Sequence, residues 1–502
     1  MTGASVYLSG ALPACPDRFN AAEYCLSPDV PADADAFLAV DGEAGVVTRL
    51  QFGELRDRVL RAASAYRAAG VQPGDRVALL LGDVPAFPVA YFGAIAAGAV
   101  AVPLSSQLAQ CEIDAVLADV APAAVVGFGD GMLAPDALAQ GTTGRFETRT
   151  PEDPALLVYT SGSSGRPKGV LHGHRAFWAR QSMRAGWHDI RAGDRVMHAG
   201  AFNWTFTLGV GLADTWSVGA TAILNAGSRA PEVWPALARQ YEPTVFAGAP
   251  AVYRRILKYG DDLGIGFRSL RHAVTAGEAL SPSIARAWRA ATGKPLLEAL
   301  GMSEVSTFIS TGPDHAPEAG IAGWPQPGRR VAVLDETGAP VPQGAVGTLA
   351  VHRSDPGLFQ GYWNDADRTA AAMSGDWFLT GDLVSMRGDG AIAHVGRADD
   401  QMNAQGYRVD PREVEAAAMM SAGVSDCAAR ALQVEDGLSV IAIWIVPDTG
   451  ADLERAALEA DLANRLAAYK CPRAYFLLDD LPRTANGKLM RRTLTAEGAV
   501  RL

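Results

Sequence analysis

The stretch "YTSGSSGRPKGV", Tyr159–Val170, gathers three glycines, three serines, a threonine and a lysine. Leu156, Leu157 and Val158 precede it and read as a strand. Glycine exposes backbone N–H groups, and hydroxyls add further donors, so such a loop at a strand end can cradle phosphates. Lys168 supplies a point charge. The loop is read as a polyphosphate cradle, with a plain solvent loop as the competing reading. It is not a Walker loop, which needs GxxxxGK[ST]. Here Gly162 and Gly165 are followed by "RPKG", and Pro167 would spoil the helix that a Walker loop opens. A P-loop ATPase is therefore excluded.

Working outward, helical and strand patterns alternate through most of the first 350 residues. "FGELRDRVLRAASAYRAAGV", 52–71, has apolar residues at helical spacing with Gly70 as a stop. "PGDRVALLLGD", 73–83, reads as a turn and a strand, and "AAVVGF", "ALLVY" and "TVFAGA" read as further strands. This predicts layered α/β architecture with largely parallel sheets. After about residue 330 the texture changes: 331–351 reads as strand, turn, strand, and "DGAIAHVGR", 389–397, as a hairpin arm. A self-contained α+β tail follows. It has a helix over 411–420 opened by Pro411, a strand over 437–447 and an amphipathic helix over 452–469. The boundary is placed at "GRADDQ", 396–401, giving a large domain over 1–397 and a small one over 398–502.

The 502-residue chain is 49% hydrophobic and 20% charged, an ordinary globular balance that can bury large cores. Its formal net charge of -11 argues against nonspecific binding to nucleic acid or anionic membranes. The five cysteines show no metal-ligand spacing and read as reduced thiols of a cytoplasmic protein. The start carries no basic residue before Arg18, so no signal peptide is expected. The uncharged run 84–104 is long enough to span a bilayer, but Pro85, Pro88 and Pro103 interrupt it. A buried helix near 88–97 and a strand near 99–103 are expected instead.

Five more motifs follow the loop in order. They are "TAGEAL" (275–280), "ALGMSEVS" (299–306), "FLTGDL" (378–383), "GRADDQMNAQGYRVDPREVE" (396–415) and "PRTANGKLMRR" (482–492). Together with "YTSGSSGRPKG" they resemble the signature motifs of the adenylate-forming (AMP-binding) superfamily: acyl-CoA synthetases, peptide-synthetase adenylation domains and luciferases. The resemblance runs from about residue 50 to the end and is nearest to short- or medium-chain or aromatic acyl-CoA synthetases.

The resemblance implies two half-reactions: a carboxylate attacks the α-phosphate of ATP to give acyl-adenylate and pyrophosphate, and a thiol then displaces AMP. It implies Mg²⁺ and coenzyme A beside ATP/AMP. By resemblance Thr160, Ser161, Gly162, Ser163, Ser164, Gly165 and Lys168 would hold the β- and γ-phosphates. Gly277, Glu278, Ala279, Ala299, Leu300, Gly301 and Met302 would form the adenine pocket. Glu304 would ligate Mg²⁺, a hard cation that prefers oxygen, and Ser303 would donate to the α-phosphate. Asp382 and Arg397 would hold the ribose. Lys488 would bridge the two anionic reactants. Asp399 would be the hinge between half-reactions, and Gly406, Asn403 and Arg408 would line the CoA tunnel. Two positions depart from many relatives: Leu300 stands where a tyrosine often packs on adenine, and Asn403 stands where lysine is common.

The segment "HAGAFNWTFTLGVGLADTWSVGATAIL", 198–224, is similar to the acid-binding segment of short- and medium-chain synthetases. Phe202, Trp204, Phe206 and Met302 are expected to wall an apolar acid pocket, against the reading that these aromatics are simply core. Phe202-Asn203-Trp204 offers no carboxylate for a substrate amine, which weighs against amino acids. Arg254 and Arg255 are placed on a helix flank, which leaves dicarboxylates disfavoured. The expected partners are a small monocarboxylic acid and coenzyme A; a homodimer is compatible with the sequence. A ligase that loads an acyl-carrier protein and a nucleotide-binding scaffold without catalysis stay open as alternatives.

Overall fold

The computed structural model describes the chain except residues 1, 2, 9, 11, 42–44, 107, 161–167, 398–401, 405, 406, 410, 436, 437, 467, 485–488 and 498. A nine-stranded sheet runs in the order Trp324–Pro325, Ser306–Ser310, Leu296–Met302, His272–Ala276, Val245–Ala247, Arg195–His198, Thr221–Asn225, Asp35–Asp41, Gly45–Gln51. It is parallel from Leu296–Met302 to Asp35–Asp41 and antiparallel at both edges. Every residue of His272–Ala276 and Thr221–Asn225 is buried, as a parallel sheet covered on both faces requires.

A six-stranded sheet places Pro154–Thr160 between Val100–Pro103 and Lys168–Gly173, with Gly361–Tyr362 at its edge. A third sheet is antiparallel. It joins Val6–Tyr7, Val331–Leu334, Val346–His352, Trp377–Met386 and Met373–Ser374, with Ile392–Arg397 also on Trp377–Met386. Burial alternates along Trp377–Met386 and puts Phe378, Thr380, Asp382, Val384 and Met386 on the inner face. A carboxylate thus points inward with the core residues.

The uncharged run is a buried helix, Phe87–Ala96, followed by the strand Val100–Pro103, as expected. It packs on Phe52–Ala68, whose apolar stripe Phe52, Leu55, Val59, Ala62, Ala63 and Tyr66 is buried. The contact is close because Gly93 faces Ala62: a Cβ there would lie 2.6 Å from the Ala62 methyl. Among the described residues no helix is long and apolar enough to cross a membrane.

Residues from Met402 onward have a core of their own, including Met402, Val414, Ile443, Leu462 and Tyr475. It joins the helix Pro411–Ala418 to a four-stranded sheet built around the long hairpin Val424–Glu435 and Leu438–Pro447. The helix expected over 452–469 is shorter, Arg455–Ala463, with a separate 3₁₀ turn at Ala468–Lys470. Leu453 leaves the helical path because it packs over Gly423.

Candidate active site

Two sheets contribute to one turn. Thr160 and Lys168 are Cα partners across the antiparallel pair Pro154–Thr160 and Lys168–Gly173. Residues Ser161, Gly162, Ser163, Ser164 and Gly165 between them lie outside the described residues. Ser303 and Glu304 sit in the turn of the hairpin formed by Leu296–Met302 and Ser306–Ser310. Lys168 Nζ reaches across to Glu304 Oε1 at 2.7 Å. The Tyr362 hydroxyl donates to the same oxygen at 2.8 Å, and the ammonium lies 4.7 Å from the centre of the tyrosine ring. Burial alone would raise the Glu304 carboxyl, but the Lys168 charge and the Lys168 and Tyr362 hydrogen bonds hold it below its ordinary value. Glu304 is therefore an ionised, buried oxygen donor.

The turn is held from its backbone as well. His172 Nε2 lies 2.7 Å from the Ser303 carbonyl oxygen. A carbonyl only accepts, so the ring proton is on Nε2. Burial pushes the His172 imidazolium down to about 4, leaving a neutral donor at physiological pH. The Phe359 N–H donates to the Glu304 carbonyl at 2.7 Å. Thr160 Oγ1 and Thr275 Oγ1 are buried with no hydrogen-bond partner among the described residues.

Asp382, 6% exposed, faces the Arg397 backbone across paired strands. The Arg412 guanidinium donates to His394 Nδ1, so the proton of that ring is on Nε2, which donates to Asp382 Oδ1 at 3.1 Å. Arg397, Asn403 and Arg408 are described as strand backbone only, while Asp399, Gly406 and Lys488 lie outside the described residues.

The acid segment divides. Trp204 lies over Gly277, whose φ is +100°; a Cβ there would be 2.9 Å from Trp204 Cζ2. Glycine is needed both for that conformation and for that approach. Phe206 stacks on Trp187 with ring centres 5.6 Å apart and meets Trp204 edge-on at 5.2 Å. His198 meets Phe206 edge-on at 4.6 Å, and burial pushes its imidazolium down to about 3, so it carries no charge. Phe202, expected on the pocket wall, instead packs into the core against Phe87. Its N–H donates to Asp83 Oδ1 at 2.6 Å, within a turn at 202–203.

Leu300 and Met302 pack with the core beneath the third sheet, whereas Ala299 shares a cluster with Phe206. Gly301 is demanded by hairpin packing, since a Cβ would lie 2.6 Å from the Ser306 carbonyl oxygen. Ala279 is exposed, and Glu278 pairs with Arg483 at 3.5 Å. Tyr362, His172, His394 and Arg412 escaped the reading of the sequence. His172 carried a usable signal, being four residues along a strand from Lys168 and so on its face. Tyr362 carried none, because it arrives through the pairing of Gly361–Tyr362 with Lys168–Gly173.

Residues 28–363 match the model of the AMP-binding enzyme family, and residues 413–488 match that of the AMP-binding enzyme C-terminal domain. The 3-hydroxybenzoate–CoA ligase of Aromatoleum sp. (strain CIB) is 34% identical over 94% of this chain and 95% of its own. The benzoate–CoA ligase of Thauera aromatica is 32% identical over 95% of each. Among solved structures, the anthranilate CoA ligase AuaEII in complex with anthranoyl-AMP superposes with a TM-score of 0.86 at 26% identity, covering 95% of this chain and 96% of that one.

Proposed function

The chain belongs to the AMP-binding enzyme family, and from that premise we propose that it ligates a small aromatic monocarboxylic acid to coenzyme A in the cytoplasm. The observation that carries the substrate class is Trp204 lying on Gly277, which brings an uncharged aromatic wall to the strand end of the adenine motif. Arg254 does not supply a second cation for a diacid, since its guanidinium is 3.2 Å from Asp426.

In the first half-reaction a carboxylate oxygen bonds to the α-phosphorus of ATP, the bond to the bridging oxygen breaks and pyrophosphate leaves. Two anions must meet, so the chain has to offset charge at that moment. Thr160, Ser161, Gly162, Ser163, Ser164, Gly165 and Lys168 take the β- and γ-phosphates, and the unpartnered Thr160 hydroxyl fits an incoming oxygen. Ser303 donates to the α-phosphate. Asp382 and Arg397 hold the ribose, with His394 orienting Asp382. Lys488 bridges the reactants. Glu304 fits Mg²⁺, which it would hold through its carboxylate: it is an ionised, buried oxygen donor, and Mg²⁺ is a hard cation that prefers oxygen. When bound, Mg²⁺ neutralises charge on the phosphates.

In the second half-reaction the thiol sulfur, having lost its proton, bonds to the acyl carbon, and the carbon–oxygen bond to AMP breaks. Residues 398–502 turn about Asp399 between the steps, and Asn403, Gly406 and Arg408 line the thiol's path. Pyrophosphate release over a panel of benzoate, hydroxybenzoates, acetate, hexanoate and amino acids, with and without CoA, tests the proposal. Aromatic monoacids are expected to react and to need CoA for turnover. Activity with amino acids alone would overturn the substrate, and thioester formed only on a phosphopantetheinylated carrier protein would overturn the acceptor.

A further inference from the structure

Ser306, two positions after Glu304, has φ of +65°, a left-handed conformation that costs any residue with a side chain. Its hydroxyl oxygen accepts a hydrogen bond from Arg180 Nη1 at 2.7 Å. The same guanidinium binds Asp214 through both carboxylate oxygens, Nε to Oδ1 and Nη2 to Oδ2, each at 2.6 Å. The pair is nearly sealed from water, with side chains 11% and 3% exposed. Burial alone would raise the Asp214 carboxyl, but Arg180 and His188 hold it far below its ordinary value. His188 Nε2 lies 3.2 Å from Asp214 Oδ2.

The guanidinium rests on Gly209, where a Cβ would lie 2.0 Å from Nη2. Gly209 belongs to Thr207–Ala213, which winds as a π-helix directly after Trp204 and Phe206. π-Helical turns are uncommon and are found mostly at functional sites. One buried cation therefore touches the acid segment on one side and the turn bearing Ser303 and Glu304 on the other.

We infer that Arg180 is a positioning residue for adenylation: through Ser306 it holds the turn that carries Glu304, and through Asp214 it fixes that turn against the acid-binding segment. The inference rests on the proposed function for its reaction. A pair that merely filled the core would affect stability alone, since a buried ion pair is weak evidence of anything more.

Ser306→Ala removes the tether and leaves the Arg180–Asp214 pair intact. It is expected to fold, to lower kcat for ATP–pyrophosphate exchange about tenfold, and to need more Mg²⁺ for half-maximal rate. The KM for CoA should not move. The thermal shift produced by ATP with Mg²⁺ should shrink, while the melting temperature without nucleotide stays near the parent's. Arg180→Lys should show the same Mg²⁺ dependence, and the double variant should be no worse than the poorer single, because Arg180→Lys already removes the hydrogen bond that Ser306→Ala removes. Unchanged kcat and Mg²⁺ dependence in Ser306→Ala overturns the inference, as do losses that multiply in the double variant. If Arg180→Lys does not fold, Ser306→Ala alone decides. Absence of acid-dependent exchange in the parent would instead sink the functional reading, and the nucleotide thermal shift would still compare Ser306→Ala with it.

Discussion

Lys168, Glu304 and Tyr362 meet through charge and hydrogen bonds, whereas Trp204, Phe206 and His198 meet edge to face with no charge among them. The first group is drawn from three separate segments and is bound into one network by directional contacts. The second comes from one stretch of chain and is placed by burial. The difference separates two tasks. Under the proposed function, directional charge would handle phosphates, which are the same for every acid. An apolar wall would handle the acid, which varies from one relative to another. Chemistry and selectivity should therefore be separable by mutation.

The largest effect is expected on the charged side. Glu304→Gln should lower ATP–pyrophosphate exchange about a hundred- to a thousandfold, equally for every acid in the panel. A loss that depended on the acid would break the comparison. Next, Trp204→Ala should raise the KM for the aromatic acid about 10–100-fold and leave the KM for ATP unchanged. Steady-state kinetics with each substrate varied in turn will show whether the two walls are independent.

A smaller effect concerns the strand that serves both walls. Burial pushes the Glu298 carboxyl up to about 7, even though it accepts the Leu280 N–H at 2.7 Å. The native state holds that proton more tightly than the unfolded chain does. Its stabilisation is therefore full below the ordinary glutamate value and is lost as pH rises through 7. Glu298→Gln keeps an acceptor oxygen and cannot ionise. Its melting temperature should gain on the parent's by about 1–3 °C between pH 5 and pH 8, with no gain expected if the group were exposed. The smallest effect belongs to Arg254→Ala, which breaks a partly exposed pair with Asp426. It should cost no more than about 1 kcal/mol in thermal unfolding and leave the acid preference alone.

The charged wall was the more legible in the sequence. Thr160, Lys168, Ser303, Glu304 and Asp382 lie in short ordered motifs whose resemblance to the family's signatures implied their roles. The layered core was legible too, since the short apolar runs "ALLVY" and "TVFAGA" fall on the strands Pro154–Thr160 and Val245–Ala247. What stayed hidden depends on tertiary arrangement. Tyr362 reaches Glu304 from an edge strand far along the chain, and His394 reaches Asp382 through a bulged pairing. Phe202 is seated against Phe87 by tertiary packing, which its own segment did not announce. The helix over 452–469 was drawn too long at both ends: Leu453 lies against Gly423 before it starts, and it stops at Ala463 although apolar spacing runs on to Leu466.

The pairing of Val6–Tyr7 with Val331–Leu334 has a consequence for biogenesis. At ribosomal rates of about 5–20 residues per second, the second strand emerges on the order of tens of seconds after the first. Through that interval the early segment has no edge to join, and the sheet that carries Asp382 waits for its outermost member to be captured. A translating chain stalled before residue 331 should therefore leave the stretch around Val6 open to protease, and one released beyond it should shield that stretch.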